Sequence, residues 1–97
     1  MYDLRYMPPA KKYFKKLKER GLINAYKEAL KKIAIDPYAG EAKVGDLAGI
    51  YCMDVFYNKT NYEIAYRIVE DDEQIVVIIL AGTRENFYQE LKRYMLP

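Results

Sequence analysis

The sequence predicts an α+β fold: an N-terminal strand and a helical hairpin packed on a curved antiparallel sheet of three to four strands, with a short C-terminal helix. Apolar residues recur at helical spacing in the first half of the chain, and at alternate positions after about Ile50. Breaker residues, namely Gly21, Asp36-Pro37 and Gly82-Thr83, lie between these segments.

The first half is predicted to contain one strand and two helices. Residues 2–6 alternate and include aromatics, which is typical of a short strand that Pro8 and Pro9 end. Positions 10, 13, 14 and 17 form the apolar stripe of a helix, which we expect Gly21 to end as a left-handed cap. A second helix, with apolar positions 22, 26, 29, 30 and 33, should run to Asp36-Pro37 and pack on the first as a hairpin.

The second half is predicted to be a meander of three strands followed by a helix. After a loop at 38–49, strands at 50–57, 62–69 and 74–81 are joined by turns at 58–61 and 70–73. Period two indicates that the middle strand turns one set of side chains toward the helices: Tyr62, Ile64, Tyr66 and Ile68. We expect Thr83 to cap the last helix, whose apolar side contains Phe87, Leu91, Tyr94 and Met95.

The composition of the chain excludes several kinds of catalytic site. A chain of 97 residues is expected to form one domain over residues 1–97. With no histidine and one cysteine, it holds no Ser-His or Cys-His catalytic pair, and we expect no metal and no cofactor. Acid–base chemistry would therefore fall to Tyr, Lys, Arg, Asp or Glu. A signal peptide or membrane span is not evident, so we expect a cytoplasmic protein without a membrane role.

Positive charge is concentrated in the predicted hairpin. Residues 11–32 contain nine basic and two acidic side chains, whereas the rest of the chain contains seven basic and twelve acidic ones. Such a segment suits nucleic acid or an acidic protein partner. A solvated, lysine-rich helical face explains the same pattern.

Three stretches carry a family pattern. Residues 36–37 and 45–51 (DP, GDLAGIY) lead into a strand, residues 66–72 (YRIVEDD) form a strand that ends in an acidic turn, and residues 81–88 (AGTRENFY) pass from strand to helix. In order and spacing they resemble toxins of the RelE/ParE superfamily of type II toxin–antitoxin systems. The resemblance covers nearly the whole chain in layout.

The resemblance implies that the protein controls cell growth, as toxins encoded by bacteria, plasmids or archaea do. The RelE branch cuts mRNA on the ribosome without a metal, the ParE branch poisons DNA gyrase, and an antitoxin wraps over and inactivates both. Our leading hypothesis is a ribosome-dependent mRNA endonuclease that inhibits translation. The alternatives are a ParE-like gyrase inhibitor and a catalytically decayed toxin that serves as a co-repressor. The expected partners are a cognate antitoxin, the ribosome, mRNA and, through the antitoxin, operator DNA.

Four candidate catalytic residues follow from this hypothesis: Arg84, Tyr88, Arg67 and Glu63. Arg84 would clamp the scissile phosphate beside a helix N-terminus, or simply pair with a surface carboxylate. Tyr88, four residues later, would act as acid, base or stacking platform, or pack in the core. Arg67 lies opposite the Tyr66 set and would point into an open groove.

Glu63 departs from the pattern of the mRNA-cutting relatives, which usually carry an arginine at this position. The preceding strand is often basic in that branch, yet here it offers Cys52, Met53 and Asp54. Glu63 or Asp54 could serve as a general base, or the protein does not cleave RNA at all. Lysines of the hairpin are candidates for contacting ribosomal RNA phosphates: Lys11, Lys12, Lys15, Lys16 and Lys18.

Overall fold

The computed structural model describes residues 1–95 and confirms the α+β class. Its elements are β1 (Asp3–Tyr6), α1 (Pro8–Lys16), α2 (Arg20–Ile35), β2 (Glu41–Ala42), β3 (Tyr51–Tyr57), β4 (Thr60–Glu70), β5 (Gln74–Thr83) and α3 (Phe87–Met95). Within this range the strands form one sheet of order β1-β5-β4-β3-β2. The sheet is mixed, because β1 joins β5 in parallel. It has one strand more than predicted, since the two residues of β2 are too few to show a period.

The first face of the sheet is covered by α1 and α2. The predicted set from β4 packs on this side, against helix residues such as Ala10, Tyr26 and Ile33. Tyr66 is fully buried, and its hydroxyl donates to the carbonyl of Pro37 at 2.6 Å. The prediction of which β4 side chains face the helices is therefore confirmed.

The second face is covered in part by α3 and by the segment 45–50. Phe87 and Leu91 of α3 are buried there on Ala65 and Leu80 of the sheet. An ion pair between Lys92 and Asp46 (3.8 Å) also joins α3 to that segment. The rest of this face, where Arg67 lies opposite Val77, is more open.

Two predicted helix ends are wrong. Gly21 does not cap α1, which ends at Lys16; it is the second residue of α2, where the ring of Tyr57 lies against it. Thr83 does not cap α3, because it is the last residue of β5 and the helix begins only at Phe87. In both places a few residues form a connection between the two elements, and the number of residues in that connection cannot be predicted from local propensity. No helix within residues 1–95 is long and apolar enough to cross a bilayer.

Candidate functional site

Three of the four predicted catalytic residues meet on the second face of the sheet. Glu63 lies in β4, between Asp54 of β3 and Gly82 of β5. The hydroxyl of Tyr88 donates to Glu63 Oε1 at 2.7 Å, and Arg84 Nε lies 3.7 Å from Glu63 Oε2. A proton donor, a carboxylate and a guanidinium are thus in contact.

Glu63 is almost completely buried, with 1% of its surface exposed. Its Oε2 atom accepts no hydrogen bond within residues 1–95. The guanidinium of Arg84 is the positive group that offsets the charge on this atom. A buried carboxylate without full hydrogen bonding is costly. Buried polar groups without a hydrogen-bond partner are rare in folded proteins and are often found at functional sites, so this atom identifies the cluster as a candidate site.

Arg84 occupies the turn between β5 and α3 and not the helix N-terminus that the sequence suggested. Its amide donates to the carbonyl of Asn61 at 3.1 Å, and α3 begins three residues later. The guanidinium pairs with Asp54 at 3.3 Å, and more than half of the side chain is exposed. The surface pairing considered as an alternative is therefore present. Arg84 nevertheless keeps further N–H donors, since guanidinium has five.

Tyr88 is the second residue of α3 and reaches Glu63 from above. Arg84 and Tyr88 do not share a helical face, because Arg84 precedes the helix; the turn brings both to Glu63 instead. Burial, together with the hydrogen bond to Glu63, raises the pKa of Tyr88 above its usual value. The hydroxyl is therefore protonated at neutral pH, a state that suits a proton donor or relay rather than a free base.

Sequence reasoning missed Lys43, which follows β2. Its ammonium lies over the ring of Tyr88, 4.8 Å from the centroid, and pairs with Glu41. Burial lowers the pKa of Lys43, but the interactions with Glu41 and Tyr88 outweigh this and leave the pKa raised, so the side chain stays charged. No sequence signal was available, because the lysine reaches Tyr88 from an edge strand of two residues.

Cys52 lies beneath the cluster and is buried. Burial and the nearby Glu63 raise the pKa of its thiol to about 12. A thiolate is the nucleophilic form of cysteine, so this residue is not an activated nucleophile at neutral pH. Any reaction at this cluster would therefore use its oxygen and nitrogen groups.

The other predicted residues lie apart from this cluster. Arg67 is exposed four residues along β4 from Glu63, and within residues 1–95 no ion pair joins it to the cluster. Lys12 and Lys16 line a cleft of about 450 Å³ between α1, the end of β5 and α3, near Arg84. The remaining lysines point elsewhere: Lys11 and Lys15 border a separate groove, and Lys18 is exposed between the helices.

Comparisons with known proteins agree with this fold. A family model described as the ParE-like toxin of type II bacterial toxin–antitoxin systems matches residues 4–92. A chain of the toxin–antitoxin complex RelBE2 from Mycobacterium tuberculosis is 27% identical, with a TM-score of 0.65 over 86% of this chain and 98% of that one. A free E. coli RelE toxin with two arginines changed to alanine is similar in fold, at 22% identity and a TM-score of 0.72 over 98% of each chain. No curated protein sequence matches the chain.

Proposed function

Because the chain belongs to the ParE-like toxins of type II toxin–antitoxin systems, within the RelE/ParE superfamily, we propose that it inhibits translation by cutting mRNA on the ribosome. The observation that carries the proposal is the contact of Tyr88 with the buried Glu63 beside Arg84. RNA cleavage without a metal needs a route for the proton of the attacking 2′-hydroxyl and positive charge at the phosphate. These three side chains can supply both.

The burial of Glu63 defines how the proton would move. The carboxylate lies under Tyr88 and cannot touch the substrate directly. We propose that the hydroxyl of Tyr88 takes the proton of the 2′-hydroxyl while passing its own proton to Glu63. The 2′ oxygen then bonds to phosphorus and the bond to the 5′ oxygen breaks. That leaving oxygen takes a proton from water, and Arg84 stabilises the charge on the phosphate. The hydroxide formed from that water takes back the proton of Glu63 through Tyr88, which restores the carboxylate.

A cognate antitoxin is the proposed protein partner, as in the RelBE2 complex. An apolar groove of about 660 Å³ runs between α1 and α2. Phe14, Leu17 and Ile23 contribute to its lining, and Lys11, Lys15 and Lys27 add positive charge. Such a surface suits an acidic amphipathic segment, because apolar contact and charge would both favour binding.

A second candidate function is gyrase inhibition without chemistry, and the charge of the site favours it. Two cations, Arg84 and Lys43, face three carboxylates: Asp54, Glu63 and Glu41. RNA binding depends on positive charge, which these carboxylates reduce. The match to a ParE-like family model agrees with this alternative.

Cleavage mapping in a reconstituted translation reaction tests the proposal. The protein should cut mRNA only when ribosomes are present, and Arg84→Ala should lower the rate by roughly a hundredfold, since losing one transition-state contact costs about 3 kcal/mol. Tyr88→Phe should cause a comparable loss, because it removes the hydroxyl that relays the proton while it keeps the aromatic ring. Arg93→Ala, at an exposed position of α3, is the matched control.

Glu63→Gln separates the roles of the carboxylate. A relay that ends on Glu63 predicts a large loss of rate, whereas a merely tolerated carboxylate predicts no loss, or a gain from weaker repulsion of RNA. Arg67→Ala tests the fourth candidate in the same assay. Absence of cleavage by the wild type, together with inhibition of DNA supercoiling by gyrase, would replace the nuclease with the second candidate. Toxicity on sole expression, relieved by the neighbouring antitoxin gene, tests the partner.

A further inference from the structure

Lys43 is held in a fixed position beside β3. Its backbone N–H donates to the carbonyl of Ile50 at 2.8 Å, directly after the pairing of Ala42 with Tyr51. Alternation along this edge turns Lys43 to the second face, as for Glu41, which pairs with the buried Cys52. The side chain is only 18% exposed. A lysine this enclosed is unusual and needs compensation from its neighbours.

The compensation comes from Tyr88 and Glu41. The ammonium over the aromatic face is a cation–π contact, which grows stronger as water is removed. The ion pair with Glu41 adds to this contact, although three quarters of the Glu41 side chain is exposed and solvent screens the pair. Lys43 is therefore held by Glu41 and by the tyrosine that also donates to Glu63.

Lys43 also supplies charge that β3 lacks. The residues of β3 at this level are Cys52, Met53 and Asp54, and Arg84 is already paired with Asp54. A second cation, Lys43, comes instead from the residue directly after β2. Because its other partner, Glu41, is exposed, an incoming phosphate could compete for the ammonium without uncovering a buried carboxylate.

We propose that Lys43 is a positioning residue, which holds the ring of Tyr88 against Glu63 and adds a positive charge from the edge strand. The inference rests on the proposed function of this site only where cleavage is concerned. Its geometric part, the coupling between Lys43 and Tyr88, can be tested without any cleavage activity.

The first experiment measures that coupling without any activity. Protein labelled with [13Cζ]tyrosine is titrated by NMR up to pH 11, with an amide spectrum at each pH to show that the chain is still folded, and the Tyr88 signal is assigned by its loss in Tyr88→Phe. A cation beside the ring favours the tyrosinate, so Lys43→Met should raise the pKa of Tyr88 further. Lys43→Arg should stay close to wild type because it keeps the charge. Lys31→Gln, at an exposed position of α2, is the control. An unchanged Tyr88 titration in Lys43→Met would overturn the inference.

The second experiment is a double-mutant cycle on ribosome-dependent cleavage. Lys43→Met should lower the rate by roughly tenfold or more, and Lys43→Arg should recover most of it. In the Tyr88→Phe background, Lys43→Met should cost less than it does in the wild type, because the positioning role ends with the tyrosine hydroxyl and only the contribution of the charge remains. Fully multiplicative losses would contradict the positioning role. If the wild type does not cleave, the proposed function fails, while the NMR titration still decides the inference.

Discussion

Each of the two oxygens of Glu63 depends on a different neighbour. Oε1 accepts from Tyr88, whereas Oε2 accepts no hydrogen bond from any residue in the range 1–95 and lies 3.7 Å from the guanidinium of Arg84. The sequence placed Glu63 on the second face correctly, because period two in β4 is clear. It did not predict the burial, since that depends on α3 folding back over the strand, and it did not predict Lys43, whose partner Tyr88 is distant in sequence.

At this scale we predict that Tyr88→Phe destabilises the protein. Loss of the hydroxyl leaves a buried carboxylate without its hydrogen-bond donor, which costs about 1–3 kcal/mol. Adding Glu63→Gln should recover a large part of the loss, because the uncompensated charge is then gone. Urea unfolding of the two single variants and the double variant measures both effects. A Tyr88→Phe protein as stable as wild type would contradict this account of the site.

Among the elements, the helical hairpin and the meander follow from periodicity, whereas their ends do not. The positions of Gly21 and Gly40 are set by tyrosines from the sheet. A Cβ on Gly21 would overlap the hydroxyl of Tyr57, and one on Gly40 would overlap that of Tyr66. Close approach of a distant aromatic side chain, and not a local turn, explains both glycines. No local sequence pattern carries that information.

These two glycines should respond differently to alanine. Tyr66 is fully buried and bonded to Pro37, so it cannot move aside, and Gly40→Ala should destabilise by about 1–3 kcal/mol. Tyr57 is only partly buried and its ring can swing outward, while alanine favours the helix, so Gly21→Ala should be nearly neutral. Thermal unfolding of both variants gives the comparison. Equal losses would mean that Tyr57 is as fixed as Tyr66.

Across the whole molecule, tyrosine hydroxyls join segments that are distant in sequence. Tyr13 and Tyr26 bond to each other at 2.8 Å between α1 and α2, Tyr66 joins β4 to the turn after α2, and Tyr2 donates to Glu70. The fold class was predictable because it depends on the order of elements. The tyrosine hydrogen bonds could not be predicted, because the sequence contains eleven tyrosines and does not show which of them form hydrogen bonds.

We therefore predict a loss of stability at alkaline pH. Burial raises the pKa of Tyr66 to about 12, and burial raises that of Tyr26 further still. A group whose pKa is higher in the folded than in the unfolded protein stabilises the fold fully below its unfolded value, near 10. That contribution disappears as the pH rises toward 12, and for Tyr66 alone it is on the order of 3 kcal/mol.

Free energies of unfolding in urea at pH 8, 10 and 11, for wild type and Tyr66→Phe, test this prediction. Tyr66→Phe should be less stable than wild type at pH 8 by about 1 kcal/mol, because the carbonyl of Pro37 loses its donor. The difference should shrink as the pH rises, since the wild type alone has this hydroxyl to ionise on unfolding. A constant difference from pH 8 to 11 would show that Tyr66 titrates at the same pH in the folded and unfolded protein, and that its burial does not govern the alkaline limit.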